Sequence, residues 1–471
     1  MAPKRSWTNY PATYQAEEIA IIADWIAAGE SGAIVGPPGA GKSNLFGFLS
    51  RRPDVFKVYL STDDFRLVLA LVDLNNLPGS DLATFYRIML RALYESRDQL
   101  AALGEPLAEV VETLYRSVVA QTDPFVCQSA LREALLAFER HDAQLVFLLD
   151  PFDRLAQTAE PQILDNLRGL RDSFKSTLSY LVGIQQTLGY LRDPAEMGEL
   201  YALLDTHLCW VGGMSAADAR FVIGNVTRAM GRALSEAEIK HLIELTGGYA
   251  SFLKAAGLWL ARIATPPAPE QWVATWLAEP SFQSRLQVLW QNLTGEEQLI
   301  LTELQSLPPQ PAAHQSFTDH YPQILSQLEA KQICQRAANG HWQIFSPLLA
   351  AYIEQLGLID TGKIHYRPGD DVILRGSRSL ERELTPQSRQ LLLFFLNNPR
   401  RIVNKEEIVI ALWPDDEIYD KGFGDERLHK AVSQLRQVLE IGDDAPRYIK
   451  TEHRKGYRFF PEGAPRGWDR K

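Results

Sequence analysis

The chain has 471 residues and a formal net charge of −10, from 48 Lys+Arg against 58 Asp+Glu. That length suits about three or four domains, each able to bury its own core without staples. Cys127, Cys209 and Cys334 are too widely spaced for a disulfide framework or a zinc pattern, so buried reduced thiols are expected.

No apolar run approaches a membrane span, and the opening MAPKRSWTNYPATYQ lacks an apolar signal region. The expectation is a soluble, cytoplasmic protein. The acidity is uneven. Residues 361–471 carry 21 Lys+Arg against 18 Asp+Glu, which leaves 27 against 40 in the first 360. Overall negative charge therefore does not exclude a nucleic-acid module at one end.

In chain order, residues 12–29 place Ile19, Ile22, Trp25 and Ile26 at helical spacing and stop at Gly29. The apolar run Ala33-Ile34-Val35 then passes through Gly36-Pro37-Pro38-Gly39-Ala40-Gly41-Lys42-Ser43 into an amphipathic segment. This is G-x-x-x-x-G-K-[ST] between a strand and a helix, the P-loop pattern. Gly39 and Gly41 let successive backbone N–H groups turn inward around a phosphate. Lys42 suits the β- and γ-phosphates, Ser43 a Mg²⁺ ion, and the helix brings its positive end to the anion. The nucleotide-binding candidates are Gly36, Pro37, Pro38, Gly39, Ala40, Gly41, Lys42, Ser43 and Asn44, and the expected ligands are ATP or ADP with Mg²⁺.

FKVYLS (56–61) reads as the next strand, and residues 81–120 as helix broken at Gly104–Pro106. Another helix covers 128–141, with Leu131, Leu135, Leu136 and Phe138 on one face. Leu145–Asp150, LVFLLD, is a continuous apolar run ending in a carboxylate, as buried parallel strands do. Asp150 is the candidate partner of Ser43 at the metal. Leu178–Ile184 is the following strand and closes with Gln185-Gln186. Gln186 is either a γ-phosphate sensor or an ordinary polar residue leaving a strand. Strands and helices alternate throughout 12–190, which predicts an α/β domain with a mainly parallel sheet.

Residues 215–263 read as helices capped by Ser215 and Ser235, with Gly247-Gly248 ending one of them. Pro266, Pro267 and Pro269 mark a linker. Residues 293–355 give helices, a short strand pair around Gly340 and a closing helix, an order that suits a winged helix. In the last hundred residues Val372–Leu384 alternates like a hairpin, Thr385 and Asn404 sit at N-caps, and an acidic loop precedes a helix starting at Asp425. Leu428, Val432, Leu435 and Leu439 form the core stripe of that helix. His429, Lys430, Ser433, Gln434, Arg436 and Gln437 lie on its other faces. A strand pair, YIKTEHRKGYRFF, carries His453, Arg454 and Lys455 in its turn. A helix showing such side chains beside a basic hairpin suits one element in a major groove and a wing on the phosphates, so these nine residues are the DNA-binding candidates.

Two resemblances cover nearly the whole chain. GPPGAGKS, LVFLLDPFDR, GIQQTL, TGGYASFL and FSPLLAAYI, between residues 12 and 355, resemble the STAND class of signal-transduction ATPases and, more distantly, initiator-type AAA+ proteins. LTPQSRQLLLFFLNNPRRIVNKEEIVIALWPDD, AVSQLRQVLE and PRYIKTEHRKGYRFF resemble the OmpR/PhoB-type winged-helix DNA-binding domain. The resemblance implies an α/β P-loop NTPase core (1–200), a helical lid (201–275), a winged-helix domain (285–357) and a second, DNA-binding winged helix (360–465).

The departures from those families bear on chemistry. Pro151 stands where these ATPases place an acidic residue after the strand-end Asp, and Pro can neither accept a proton nor orient water. Asp153 resembles the additional acidic position of the STAND pattern and, with Gln186, is a catalytic candidate. Gly248-Tyr249-Ala250 lacks the usual lid proline, and Ser251 lies near the place of the initiators' sensor arginine. Slow hydrolysis or long-lived occupancy is expected. Arg168 and Arg171 are candidates for an arginine finger.

The leading reading is a nucleotide-switched transcription regulator that binds double-stranded DNA through its C-terminal domain and self-associates in the ATP state. The nucleotide state would expose or bury that DNA reader or, in the second arm of this reading, assemble copies, and the chain would answer a protein or small-molecule signal. Two alternatives remain: an ATP-dependent DNA-assembly factor of the initiator, loader or transposition-regulator type, and a defence-type STAND sensor.

Overall fold

The continuous apolar runs form the middle of a five-stranded sheet. In a computed structural model of the chain its strands are β1 (Gly32–Val35), β2 (Leu67–Asp73), β3 (Gln144–Asp150), β4 (Leu178–Ile184) and β5 (Leu208–Trp210), ordered β2-β3-β4-β1-β5. Every neighbouring pair is parallel. β4 is buried along its whole length and β3 from Leu145 onward, which is why Leu145–Leu149 reads as an unbroken apolar run and β4 is interrupted only by Ser179 and Gly183. The structure describes residues 7–60, 66–79, 81–263, 265–305, 307, 310–358, 364–367, 371–375, 378–381, 383–413, 423–440, 448–452, 455–461 and 463. They fall into two compact units: one takes the chain through residue 298 together with 322–349, the other takes 299–321 and 350–471.

In the first unit, the helices flanking the sheet follow the sequence pattern. Ala16–Ala27 buries Ile19, Ile22, Trp25 and Ile26, and Gly104 separates two helices inside the 81–120 stretch. The expected strand at 56–61 is not one. Residues Pro53–Val58 form a 3₁₀ turn opened by a proline, and Val58 is exposed. The strand lies later, at LVLALVD, where six of seven residues are apolar and β2 runs in register with β3, Asp73 beside Asp150. β5 also went unforeseen, because three residues at a sheet edge give too short a pattern to stand out.

The lid helices begin at their expected caps. Ser215 Oγ accepts from Asp218 N at 3.1 Å, and Ser235 and Glu238 cap each other's backbone reciprocally. Gly247, at φ 61°, ends the second of these helices. Helix Ala250–Arg262 follows, and its Trp259 packs against Trp272 and Trp276, the latter stacked on Phe282. Next come helices Gly295–Gln305, Pro311–His320 and Pro322–Ala330, a hairpin of β6 (Cys334–Arg336) and β7 (Trp342–Ile344), and helix Pro347–Leu358.

From residue 364 on, the described residues of the second unit form two small antiparallel sheets and three helices. β8 (Ile364–Arg367), β9 (Val372–Arg375) and β10 (Arg378–Ser379) make one, ordered β10-β9-β8, so the expected hairpin gains a third strand. β11 (Ile402–Val403), β12 (Ile449–Glu452) and β13 (Gly456–Phe459) make the other, ordered β11-β13-β12. Thr385 and Asn404 cap their helices as expected. The long helix starts at Phe423, two residues before the expected Asp425, and buries Leu428, Val432, Leu435 and Leu439 against Leu391, Phe395, Tyr457 and Phe459. The acidic loop at 415–420 lies outside the described residues. Helices followed by this terminal hairpin make the unit a winged helix.

Gly456 sits at φ 129°, and a Cβ there would lie 2.0 Å from the Val403 carbonyl oxygen. Gly456→Ala is therefore expected to lower the local unfolding free energy of this sheet by about 2 kcal/mol or more, read as lost hydrogen-exchange protection at Val403 and Tyr457.

Candidate functional site

The order of the parallel sheet sets the candidate site at its carboxyl edge. β1 lies between β4 and β5, with Gly36 N donating to Ile184 O at 3.1 Å and Val211 N to Val35 O at 2.8 Å. The chain then turns through Pro37–Gly41 and starts helix Lys42–Leu49. Gly36 has no room for a side chain: a Cβ would meet the Val211 carbonyl oxygen at 2.2 Å. Gly39 and Gly41 hold positive φ, 89° and 121°, the backbone that a loop of inward N–H groups requires.

Lys42 is buried, and its Nζ donates to the Gly36 carbonyl and, at 3.5 Å, to that of Pro37. Burial pushes the ammonium down to about 8, while the charges of Asp153 and Asp150 oppose that shift. Asp150 ends β3, and burial holds its carboxyl above the usual range, against a hydrogen bond from Ser43 and the charge of Lys42. Ser43 itself is exposed. Gly183 on the neighbouring strand makes room for this carboxylate, because a Cβ there would lie 2.3 Å from Asp150 Oδ1. No group of three or more His, Cys, Asp or Glu able to hold a metal occurs among the described residues. A hydrated Mg²⁺ asks for less, one or two protein ligands plus phosphate oxygens, and the Ser43–Asp150 pair meets that requirement.

Asp153 starts a short helix after Pro151, and burial raises its carboxyl too. Gln185 N donates to its Oδ1 at 2.7 Å, while Oδ2 is buried with no hydrogen-bond partner among the described residues. Asp153 therefore faces the Lys42 side of the site with one oxygen uncommitted. Gln186 is 4% exposed and fully engaged: its Nε2 donates to the Asn292 carbonyl, and its Oε1 accepts from Lys331 Nζ at 2.7 Å.

The start of helix Ala250–Arg262, in the segment expected to be a lid, packs directly on the loop. Ser251 N donates to Gly39 O at 3.1 Å, and Tyr249 Oη donates to Pro38 O at 2.8 Å. Between them lies a cavity of 310 Å³, bounded by Gly39, Gly41, Lys42, Ser43 and Asn44 on one side and by Ala250, Ser251, Lys254 and Arg285 on the other. The sequence reading missed Lys254 and Arg285, which bring two cations to this cavity from separate helices. Nothing in their local pattern sets them apart from other helix-surface cations. Arg168 and Arg171 are not offered to a partner's site. Arg171 is buried on the Gly29 carbonyl at 2.5 Å, and Arg168 pairs with Asp172 at 2.8 Å.

In the C-terminal helix, His429, Lys430, Ser433, Gln434 and Gln437 are exposed on one side, and Lys455 is exposed in the hairpin turn. Arg436 leaves this set. Its Nε and Nη2 donate to the Ile449 carbonyl at 3.1 and 2.7 Å, and Nη2 also reaches Thr451 Oγ1 at 3.0 Å. A long cation one turn from the core stripe folds back onto the adjacent strand β12, where carbonyls are at hand. His453 and Arg454 lie outside the described residues.

Comparison with known proteins bears on the two ends of the chain differently. Residues 380–459 match the family described as transcriptional regulatory protein, C terminal. The regulatory protein VirG of Agrobacterium tumefaciens (strain 15955) is 35% identical over 80 residues, 17% of this chain and 28% of that protein. The uncharacterized transcriptional regulatory protein YcbL of Bacillus subtilis (strain 168) is 30% identical over 76 residues, 16% of this chain and 32% of that one. The chain thus spans about a third or less of the length of the curated relatives it matches. Among solved structures, the Walker-type ATPase PABY2304 of Pyrococcus abyssi aligns over 74% of this chain and 99% of its own, at 14% identity and a TM-score of 0.45. The ORC2 protein of Aeropyrum pernix aligns over 73% and 94%, at 14% identity and a TM-score of 0.38.

Gly183→Ala tests the placement of Asp150. The added methyl drives the carboxylate away from Ser43, so Mg²⁺-dependent nucleotide affinity is expected to fall about tenfold or more, measured by titration with and without Mg²⁺.

Proposed function

We propose that this chain is a nucleotide-switched, DNA-binding transcription regulator, with a P-loop core over about 1–200, a lid over 201–275, a winged-helix segment over 285–357 and the DNA reader over 360–465. The observation that carries this reading is the presence, in one chain, of two parts. One is a P-loop whose buried Lys42 is flanked by Ser43, Asp150 and Asp153; the other is a C-terminal segment matching transcriptional regulators. Polyphosphate is the ligand that such a loop suits, with inward N–H groups, a buried ammonium and a helix N-terminus converging.

Lys42 would leave its own loop carbonyls for the β- and γ-phosphates, and Lys254 and Arg285 would meet the same anion from the lid side of the cavity. Mg²⁺, when bound through Ser43 and Asp150, would supply charge neutralisation between phosphate oxygens. Asp153, with its uncommitted Oδ2, is the group able to orient a water in place of the carboxylate that Pro151 replaces. One carboxylate displaced by two residues supports slow turnover and a long-lived bound state, which suits a switch better than a motor.

The DNA-facing set is His429, Lys430, Ser433, Gln434, Gln437 and Lys455, with Arg436 instead fixing the helix to its hairpin. No described helix is long and apolar enough to cross a membrane, which accords with a cytoplasmic regulator acting on DNA. The DNA-assembly alternative finds no further support: the first 360 residues carry an excess of acidic side chains, unfavourable for clamping arbitrary DNA.

Two experiments test the reading. Lys42→Ala is expected to abolish nucleotide binding and to change DNA affinity or assembly; unchanged DNA binding in every nucleotide state would refute the switch. In a salt titration of DNA binding, Lys430→Ala is expected to weaken affinity and reduce the slope of log K against log salt by about one. Arg436→Ala should leave that slope nearly unchanged and loosen the hairpin instead.

A further inference from the structure

Gln186 is held from both ends. Its Nε2 donates to the Asn292 carbonyl, with Asn292 Oδ1 at 3.5 Å, and its Oε1 accepts from Lys331 Nζ at 2.7 Å. The ammonium fixes which end of the carboxamide points where, since a flipped amide would set donor against donor. Lys331 is held in turn by Glu297 at 2.6 Å, with side-chain exposures of 7% and 0%. Glu297 has a second duty. Its Oε2 accepts from Thr294 N at 2.9 Å while Thr294 Oγ1 accepts from Glu297 N at 3.1 Å, a reciprocal cap on helix Gly295–Gln305. Asn292 is tied to the same strand end once more, by Nδ2 donating to Gln185 Oε1 at 3.0 Å. These six residues belong to one compact unit.

A carboxamide has two N–H donors, and both of those on Gln186 are directed at Asn292. Gln186 leaves β4 at the carboxyl edge of the sheet, where the P-loop also lies. It cannot donate to a phosphate oxygen there without giving up Asn292. We propose that Lys331, fixed by Glu297, is a positioning residue that turns Gln186 onto Asn292, so that this latch competes with the γ-phosphate of a bound nucleoside triphosphate for one carboxamide. A diphosphate leaves the latch closed. A triphosphate draws Gln186 away and releases the end of helix Pro280–Asn292 and the turn at Lys331 from the strand. The proposal rests on the nucleotide-binding reading of the P-loop. A ligand shifts such an equilibrium only by its differential affinity for the two arrangements, and the γ-phosphate supplies that difference.

The test uses the full chain, titrated with Mg·ADP and with a non-hydrolysable Mg·ATP analogue. Lys331→Met combined with Glu297→Gln removes the pair without stranding a buried charge, whereas Asn292→Ala removes only the side-chain ties to Gln185 and Gln186 and keeps the main-chain carbonyl and the pair. Both are expected to raise the triphosphate-to-diphosphate affinity ratio, the double variant by about tenfold and Asn292→Ala by about threefold, with diphosphate affinity changed less than about twofold. In a Gln186→Ala background neither change should move the ratio. A purely structural role for Lys331 would shift both nucleotides together, or shift the ratio without Gln186, and either result overturns the proposal. Asn292→Ala decides the matter alone if the double variant does not fold. If the wild-type chain binds neither nucleotide, the reading of the P-loop falls and the latch with it. If it binds both and the ratio stays fixed in every variant, the latch alone falls.

Discussion

A single ammonium buried at the carboxyl edge of a parallel sheet constrains everything around it. Moving Lys42 from water to its place under the loop lowers its proton affinity from the ordinary 10.5 to about 8, which disfavours the charged form by ~3 kcal/mol. That penalty is present in full below about pH 8 and is relieved as pH rises toward 10.5, because the unfolded chain then holds the proton more tightly than the folded one. The neighbouring carboxylates act against it. Asp150 and Asp153 are both buried, both resist ionisation for the same reason, and both are drawn toward the charged form by Lys42. The three groups sustain one another, so Gly183 is as much part of the arrangement as the residues with chemistry: its missing side chain is the space Asp150 occupies.

The same edge is tied to the lid and to the β6–β7 hairpin by a second chain of contacts. Tyr249 donates to Pro38, its ring lies 5.5 Å from that of Phe345, and Phe345 crowds the Cβ position of Gly247. Ser346 Oγ donates to Leu245 O at 2.9 Å, and Gln332 fills the space beside Gly212. These contacts are short-range and mostly glycine-bounded, which leaves little room for gradual deformation; packed elements of this kind tend to occupy discrete arrangements. The buried Lys331–Glu297 pair adds to that character. Stripping one partner from such a pair costs ~3–5 kcal/mol, whereas the intact pair contributes little net stability, so its value lies in fixing a geometry.

The sequence showed the sheet centre and the loop clearly because both have one-dimensional signatures. Leu145–Leu149 of β3 is an unbroken apolar run, β4 is apolar but for Ser179 and Gly183, and G-x-x-x-x-G-K-S leaves few alternatives. The strand at 67–73 was overlooked in favour of FKVYLS, whose aromatic and aliphatic residues suit a strand although Pro53 opens a 3₁₀ turn that runs through Val58. Contacts among residues remote in sequence left no comparable trace. Glu297 could have been read as the fourth residue of a T-x-x-E cap, yet nothing local marks Lys331 as its partner across 34 positions, or Gln186 as the partner of Lys331 across 145. Arg436 misled for the opposite reason: on a helical wheel it faces outward, and only the strand laid beside it reveals the Ile449 carbonyl as its destination.

That destination matters for how DNA would be read. Without Arg436, the exposed residues described on the helix are two cations, Arg427 and Lys430, with one histidine, one serine and two glutamines, in a segment nearly balanced in charge. Counterion release from so few cations gives weak sequence-independent binding, and Gln and Ser contribute contacts to base edges instead. A single copy read this way would discriminate better than it holds. Linking copies changes the balance, because each added reader binds at a high effective concentration and the affinities multiply without any new contact. If the nucleotide site governed assembly, no strong DNA-binding surface would be needed in each copy: a weak, selective face would make occupancy depend on the number of copies brought together.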